Sequence, residues 1–240
     1  MKVLSVVNQK GGSGKTSFSV LLTLAVASAG KRVLAVDCDP QYGLSAILAP
    51  AEKVERLGLF ELLSGLAKLE EVAVPVNRDG ITFDLIPSEY RLESIATTLD
   101  PFALKRKFKN LKKYDYVIFD TPPTVQGISR AASMIADGIY IPSDIPIPSL
   151  GPTLYTLGSL RDVEKEGKVV LVGYKEPKEE LKGCTARLAR EFKDKLNGNC
   201  AGVLPRNVTM AKAVADPEFK WTAAMRAKIL APILEITEIQ

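Results

Sequence analysis

Three glycines and two lysines fall within residues 10–15, inside the stretch NQKGGSGKTS at positions 8–17. Gly11, Gly12 and Gly14 lie between a short apolar run, Lys2–Val7, and a helix-period segment, Lys15–Ala29. Glycines at such a junction let successive backbone N–H groups converge on one anion, and the start of the helix adds partial positive charge. Lys15 is then placed to reach the β- and γ-phosphates of a nucleotide, with the Thr16 hydroxyl available to Mg²⁺. Gly14, Lys15 and Thr16 satisfy the closing half of the pattern G-x-x-x-x-G-K-[ST], but Gln9 stands where that pattern opens with glycine. Lys10 is therefore a second cation that a single phosphate loop does not require. A Rossmann dinucleotide loop fits less well: Ser17 replaces its third glycine, although Asp37 follows at about the right interval.

Two later stretches supply the carboxylates that a Mg²⁺-nucleotide site needs. VLAVDCDPQ ends an apolar run with Asp37 and Asp39, two residues apart and so on the same side of an extended chain. YDYVIFDTPP ends another with Asp120, which has the form of a Walker B carboxylate. A lone aspartate commonly caps a helix or opens a turn, and Asp39-Pro40 has a turn-like look. Behind a phosphate loop, all three become candidate site residues.

The positioning elements follow from the alternation of short apolar runs with helix-period segments. Candidate strands are Lys2–Val7, Arg32–Val36, Ile81–Ile86, Tyr116–Phe119, Gly138–Ile141, Lys168–Val172 and Cys200–Leu204. Helical candidates include Lys15–Ala29, Phe102–Leu111, Thr153–Lys165 and Glu179–Leu196. Strands such as YVIF and VVLV are continuously apolar, as expected when helices cover both faces of a sheet. The pattern predicts an α/β fold with a doubly wound, mostly parallel sheet, whose carboxyl ends border the ligand crevice. No linker rich in Pro, Gly or Ser divides the chain, so residues 1–240 read as one domain.

Composition narrows the chemistry further. Histidine is absent, which excludes histidine triads and histidine metal sites. Cys38, Cys184 and Cys200 are odd in number and form no C-x-x-C pair, which points to a reducing cytosol rather than a disulfide framework. The first apolar run is too short for a signal peptide or a membrane span, and leaves no room for a DNA-binding domain ahead of the loop. Net charge is +4, but it is uneven: ten basic and four acidic residues between Lys182 and Lys228 give +6 there, leaving −2 elsewhere.

KGGSGKTS resembles the deviant Walker A loop of the ParA/MinD family of partition and positioning ATPases, whose hallmark is K-G-G-x-G-K-[ST]. VDCDPQ is similar to the family's switch I stretch D-x-D-P-Q, DYVIFDTPP to its Walker B region, and VLPRNVTMAKAVADPEF to its IPRNVRLSEAP segment. IYIPSDIPIPSLGPT also matches, and these landmarks keep family order from about residue 3 to 219. The resemblance implies a P-loop ATPase using ATP and Mg²⁺, with slow intrinsic turnover and residues Lys10–Ser17, including Ser13, around the phosphates. It implies that Lys10 crosses a dimer interface to phosphates held by the other subunit, that Asp39 positions the attacking water, and that Thr16, Asp37 and Asp120 serve the metal. Tyr174, Pro205, Arg206 and Asn207 correspond to the base-binding segments, although GYKEP departs from the usual TMYD.

Within the family, the chain is most similar to Soj-like ParA proteins lacking an N-terminal DNA-binding domain. That similarity implies an ATP-dependent homodimer in the cytoplasm, on the nucleoid, binding DNA non-specifically and answering to a ParB-like activator. The basic last quarter fits phosphate-backbone binding; Arg187, Arg190, Lys193, Lys195, Lys212 and Lys220 are the candidate DNA contacts. A MinD-like or other cargo-positioning ATPase is the alternative. The tail MRAKILAPILEITEIQ contains Pro232 and few cations, so no stable membrane association is expected and the tail should pack as a final helix. An electron-transfer reductase would need cluster-bridging cysteines that the chain does not offer.

Overall fold

The computed structural model describes residues 1–49, 57–109, 111–144, 147–174, 194–196, 198–205, 207–216 and 218–239. Among the described residues, eight strands form one sheet in the order β3-β4-β2-β5-β1-β6-β7-β8. They are β1 Lys2–Val6, β2 Val33–Asp37, β3 Val74–Arg78, β4 Ile81–Ile86, β5 Tyr116–Asp120, β6 Gly138–Ser143, β7 Lys168–Tyr174 and β8 Cys200–Pro205. Every pairing is parallel except β3 with β4.

Side-chain alternation splits the apolar residues of each central strand between two cores. Leu4, Val6, Val33 and Ala35 pack on one face with helices α1 (Lys15–Ser28) and α2 (Gly43–Leu48). Val3, Val7, Leu34 and Val36 pack on the other, which α3 (Leu59–Ser64), α4 (Leu69–Val72), α5 (Glu93–Ala96), α6 (Ala103–Phe108), α7 (Gly127–Ile135) and α8 (Ile147–Arg161) cover. Three C-terminal helices, α9 (Val208–Ala215), α10 (Ala223–Ile229) and α11 (Ala231–Thr237), return to the α1 side. This is the doubly wound arrangement that continuous apolar strands predict.

Two expectations needed correction. β3 escaped the sequence reading because VPVNR alternates inside and outside and carries Pro75, features of a half-covered edge strand. The tail forms two helices rather than one: α10 stops at Ile229 and Pro232 sits in the first turn of α11, where a missing N–H costs nothing. Ile229, Leu230 and Ile233 are buried, so this tail is part of the core. Most of the expected helix Glu179–Leu196 lies outside the described residues.

The strand order places the site. β1 lies between β5 and β6: strands β2 to β5 lie on one side of it, and the connection from β5 to β6 carries the chain to the other. The crevice at such a reversal opens at the carboxyl ends of the strands. The loop after β1 therefore opens beside the last residues of β2 and β5, where Asp37 is in register with Asp120.

Candidate functional site

The loop from Val7 to Gly14 is held at its entrance by Asn8. This buried side chain donates to the Pro142 carbonyl at 2.9 Å and accepts from the Lys10 N–H at 3.0 Å. Gly12 and Gly14 adopt left-handed φ values of +70° and +89°, which a side chain would strain. Gly14 then opens α1, its carbonyl accepting from the Phe18 N–H at 2.9 Å. Inside the loop, the Ser13 hydroxyl is buried without a hydrogen-bond partner among the described residues.

Lys15 is only 7% exposed, and its ammonium donates to the Lys10 carbonyl at 3.1 Å. Burial lowers its pKa, while the charges of Asp120 and Asp39 work in the opposite direction. The ammonium thus belongs to a preformed cluster with the strand-end carboxylates. Asp37 accepts from the Ser45 N–H at 2.8 Å and from the Ser45 hydroxyl at 2.7 Å. Asp120 Oδ1 accepts from the Ser19 hydroxyl at 2.8 Å, while its Oδ2 is buried with no partner among the described residues. Asp39 is half-buried beside them; its N–H donates to Asp37 at 3.1 Å and its carboxylate caps the Gln41 N–H at 2.9 Å.

Asp37 and Asp120 are both fully buried, and two such carboxylates resist joint ionisation. Burial, reinforced by the neighbouring Asp120 charge, pushes Asp37 up to about 7; burial pushes Asp120 up to about 6 despite Ser19, Thr16 and Lys15. A divalent cation would remove that conflict. Two carboxylates, the Thr16 hydroxyl and an orphaned Asp120 oxygen fit Mg²⁺, which takes few protein ligands and shares the rest with phosphate and water. Among the described residues no cluster of three or more Asp, Glu, Cys or His forms a self-sufficient metal cage.

The sign of the pH effect follows. A carboxylate with a raised folded-state pKa stabilises the fold while it holds its proton, below the unfolded value, and loses that contribution as pH rises through the folded value. The metal-free chain should therefore lose melting temperature between pH 5 and 8, by roughly 5 °C or more for a few kcal/mol. With no histidine in the chain, few other groups titrate in that interval. Asp37→Asn should flatten the slope, and a melting temperature rising over the interval would contradict the assignment.

Lys10 is not free in the isolated chain. Its ammonium donates to both Asp144 oxygens, at 2.7 and 2.9 Å, and to the Ser149 hydroxyl at 2.6 Å. Burial alone would raise the Asp144 pKa, but Lys10 and Ser149 hold it below the ordinary carboxylate value.

Beside the loop, an apolar groove of about 410 Å³ runs from Gly14 and Ser17 past Phe18 and Val172 to Asn207 and Met210. Asn207 caps α9: its side-chain oxygen accepts from the Thr209 and Met210 N–H groups, at 2.8 and 3.2 Å. That leaves only its amide donors for a ligand. Arg206 lies outside the described residues, as do the side chains of Tyr174 and Pro205, whose backbones pair across β7 and β8. Of the candidate DNA contacts, Arg187, Arg190 and Lys193 also lie outside the described residues; Lys195 and Lys212 are exposed. Lys220 is exposed too, with its ammonium 3.8 Å from Asp79.

Ser19, Ser45, Asp144, Ser149 and Asn8 were not foreseen from the sequence. Each acts on a partner distant in the chain or through a hydroxyl that no pattern singles out.

A strand, a glycine loop and a helix, with two lysines and strand-end carboxylates gathered around them, define a P-loop nucleotide-binding protein. A family model described as an AAA domain matches residues 1–163. The chromosome-partitioning ATPase Soj of Thermus thermophilus is 32% identical, over 93% of this chain and 88% of its own. The chromosome partitioning protein ParA of Caulobacter vibrioides is 29% identical, over 89% and 84% respectively. Among solved structures, a variant of Cyanothece McdA in complex with ATP superposes with a TM-score of 0.83 at 21% identity, covering 100% of this chain and 97% of that one. The chain belongs to the ParA/MinD family of partition and positioning ATPases.

Proposed function

We propose that the chain is an ATP-switched partition ATPase: a homodimer with ATP bound, attached non-specifically to DNA, and released when a ParB-like partner stimulates hydrolysis. The observation that carries this reading is the second lysine, Lys10, on the rim of a phosphate loop that Lys15 already completes. Two triphosphates brought face to face concentrate negative charge, and a lysine from each subunit offsets it only after pairing.

In this reading the loop N–H groups and Lys15 bind the triphosphate, and Thr16, Asp37 and Asp120 hold Mg²⁺. When bound, Mg²⁺ neutralises charge developing on the β- and γ-phosphate oxygens. The groove beside Ser17 and Phe18 takes the base, with Asn207 donating to a ring nitrogen. Asp39 orients the attacking water; Asp37 accepts from its backbone N–H, and the Gln41 N–H donates to its carboxylate. Phosphoryl transfer depends mainly on positioning and charge stabilisation, so Asp39 need not be a strong base.

Light scattering and a gel shift on arbitrary duplex DNA test the proposal together. A doubled mass and a salt-sensitive shift, both only with ATP, are expected. Co-sedimentation with anionic liposomes in place of the DNA shift would favour the MinD-like alternative. Asp39→Ala should lower turnover about a hundredfold or more while leaving ATP affinity within about threefold. The variant should accumulate as the ATP-bound dimer on DNA, and rapid turnover would remove the assigned role.

A further inference from the structure

Arg78 ends the edge strand β3, yet it is only 3% exposed. Its guanidinium donates to three backbone carbonyls, those of Ile47 at 3.4 Å, Ala213 at 3.2 Å and Asp216. It takes part in no salt bridge among the described residues. Burial lowers its pKa, with the Asp216 charge opposing. A buried guanidinium is costly unless its donors are used; here the two terminal nitrogens serve helix ends, while the Nε–H is buried with no partner among the described residues.

Ile47 lies in the last turn of α2, Ala213 in the last turns of α9, and Asp216 caps α9. Final-turn carbonyls lack helical partners and carry partial negative charge, so one planar cation satisfies both helices at once. The opposite ends of the same helices reach the candidate site. At the start of α2, Gly43 abuts Thr16, and Ser45 clamps Asp37. At the start of α9, Asn207 borders the groove with Gly14 and Ser17. Helices of six and eight residues place Arg78 roughly 10 Å from both ends of the site, with one rigid element on each side.

We propose that Arg78 is a positioning residue that fixes the base-facing end of α9 relative to the metal-facing end of α2, so that base and triphosphate are gripped in register. The inference rests on the nucleotide reading of the site. It makes the contribution of the base to affinity depend on a side chain that touches no ligand.

Calorimetry with ATP·Mg²⁺ and with inorganic tripolyphosphate·Mg²⁺ separates this role from general stability. Wild-type protein should bind ATP more tightly; failure to bind ATP at all would overturn the nucleotide reading rather than the role of Arg78. In Arg78→Met the advantage of ATP over tripolyphosphate should shrink about tenfold, with Arg78→Lys intermediate because an ammonium cannot span three carbonyls. An advantage unchanged within about twofold in folded Arg78→Met, as when both ligands weaken equally, would overturn the proposal. Should Arg78→Met not fold, Arg78→Lys is judged by the same ratio. Hydrogen exchange on the wild-type chain needs no variant: residues 43–48 should gain more protection with ATP·Mg²⁺ than with tripolyphosphate·Mg²⁺. Equal protection would sink the idea.

Discussion

Lys15→Ala should abolish ATP binding measurable by calorimetry, an affinity loss of at least about a hundredfold. The side chain is 7% exposed and already held by the Lys10 carbonyl, so little rotamer freedom is lost when phosphate arrives. Charge-assisted hydrogen bonds to phosphate oxygens contribute about 1.5–3 kcal/mol each, and two of them account for two to four powers of ten. The substitution also removes a cation whose charge favours ionised Asp120, so a thermal melt below pH 5, where these carboxylates are protonated, should confirm folding. ATP affinity unchanged in a folded variant would refute the phosphate assignment.

How much of this was legible beforehand depended on the range of the interaction. The loop could be read because strand, glycines, lysine and helix are contiguous, and local chemistry dictates that order. Asp37 and Asp120 could be placed because continuous apolar runs end at them, which sets both at the carboxyl edge of a parallel sheet. Their pairing in register could not, since strand order is a property of the whole sheet. The same distance hid Ser19, which meets Asp120 across 101 residues, and Arg78, which meets Asp216 across 138. Charge was the least informative signal. The excess in the last quarter counts Lys220 and Arg226, whose cationic ends lie 3.8 and 3.7 Å from Asp79 in the turn after β3.

Asp144→Ala should make ATP-dependent dimers form more readily, whereas Lys10→Ala should lose them. The two variants address the contact that occupies the second lysine in the isolated chain. For Lys10 to reach a partner's phosphates, its ammonium must leave two carboxylate oxygens and the Ser149 hydroxyl. The Lys10 and Asp144 side chains are 25% and 36% exposed, so solvent screens the pair and its release costs only about 1 kcal/mol. Each dimer releases two such latches, one per subunit, so removing the carboxylate should lower the protein concentration for half-dimerisation by about thirtyfold at saturating ATP. Lys10→Ala should keep monomeric ATP affinity within about threefold, because Lys15 remains, and should stay monomeric by light scattering. The double variant should behave as Lys10→Ala, since a released latch has no effect without the amine it restrained. Full dimerisation by Lys10→Ala would deny the lysine its role across the interface. Unaltered dimerisation by Asp144→Ala would reduce the in-chain pair to a surface contact with no bearing on the switch.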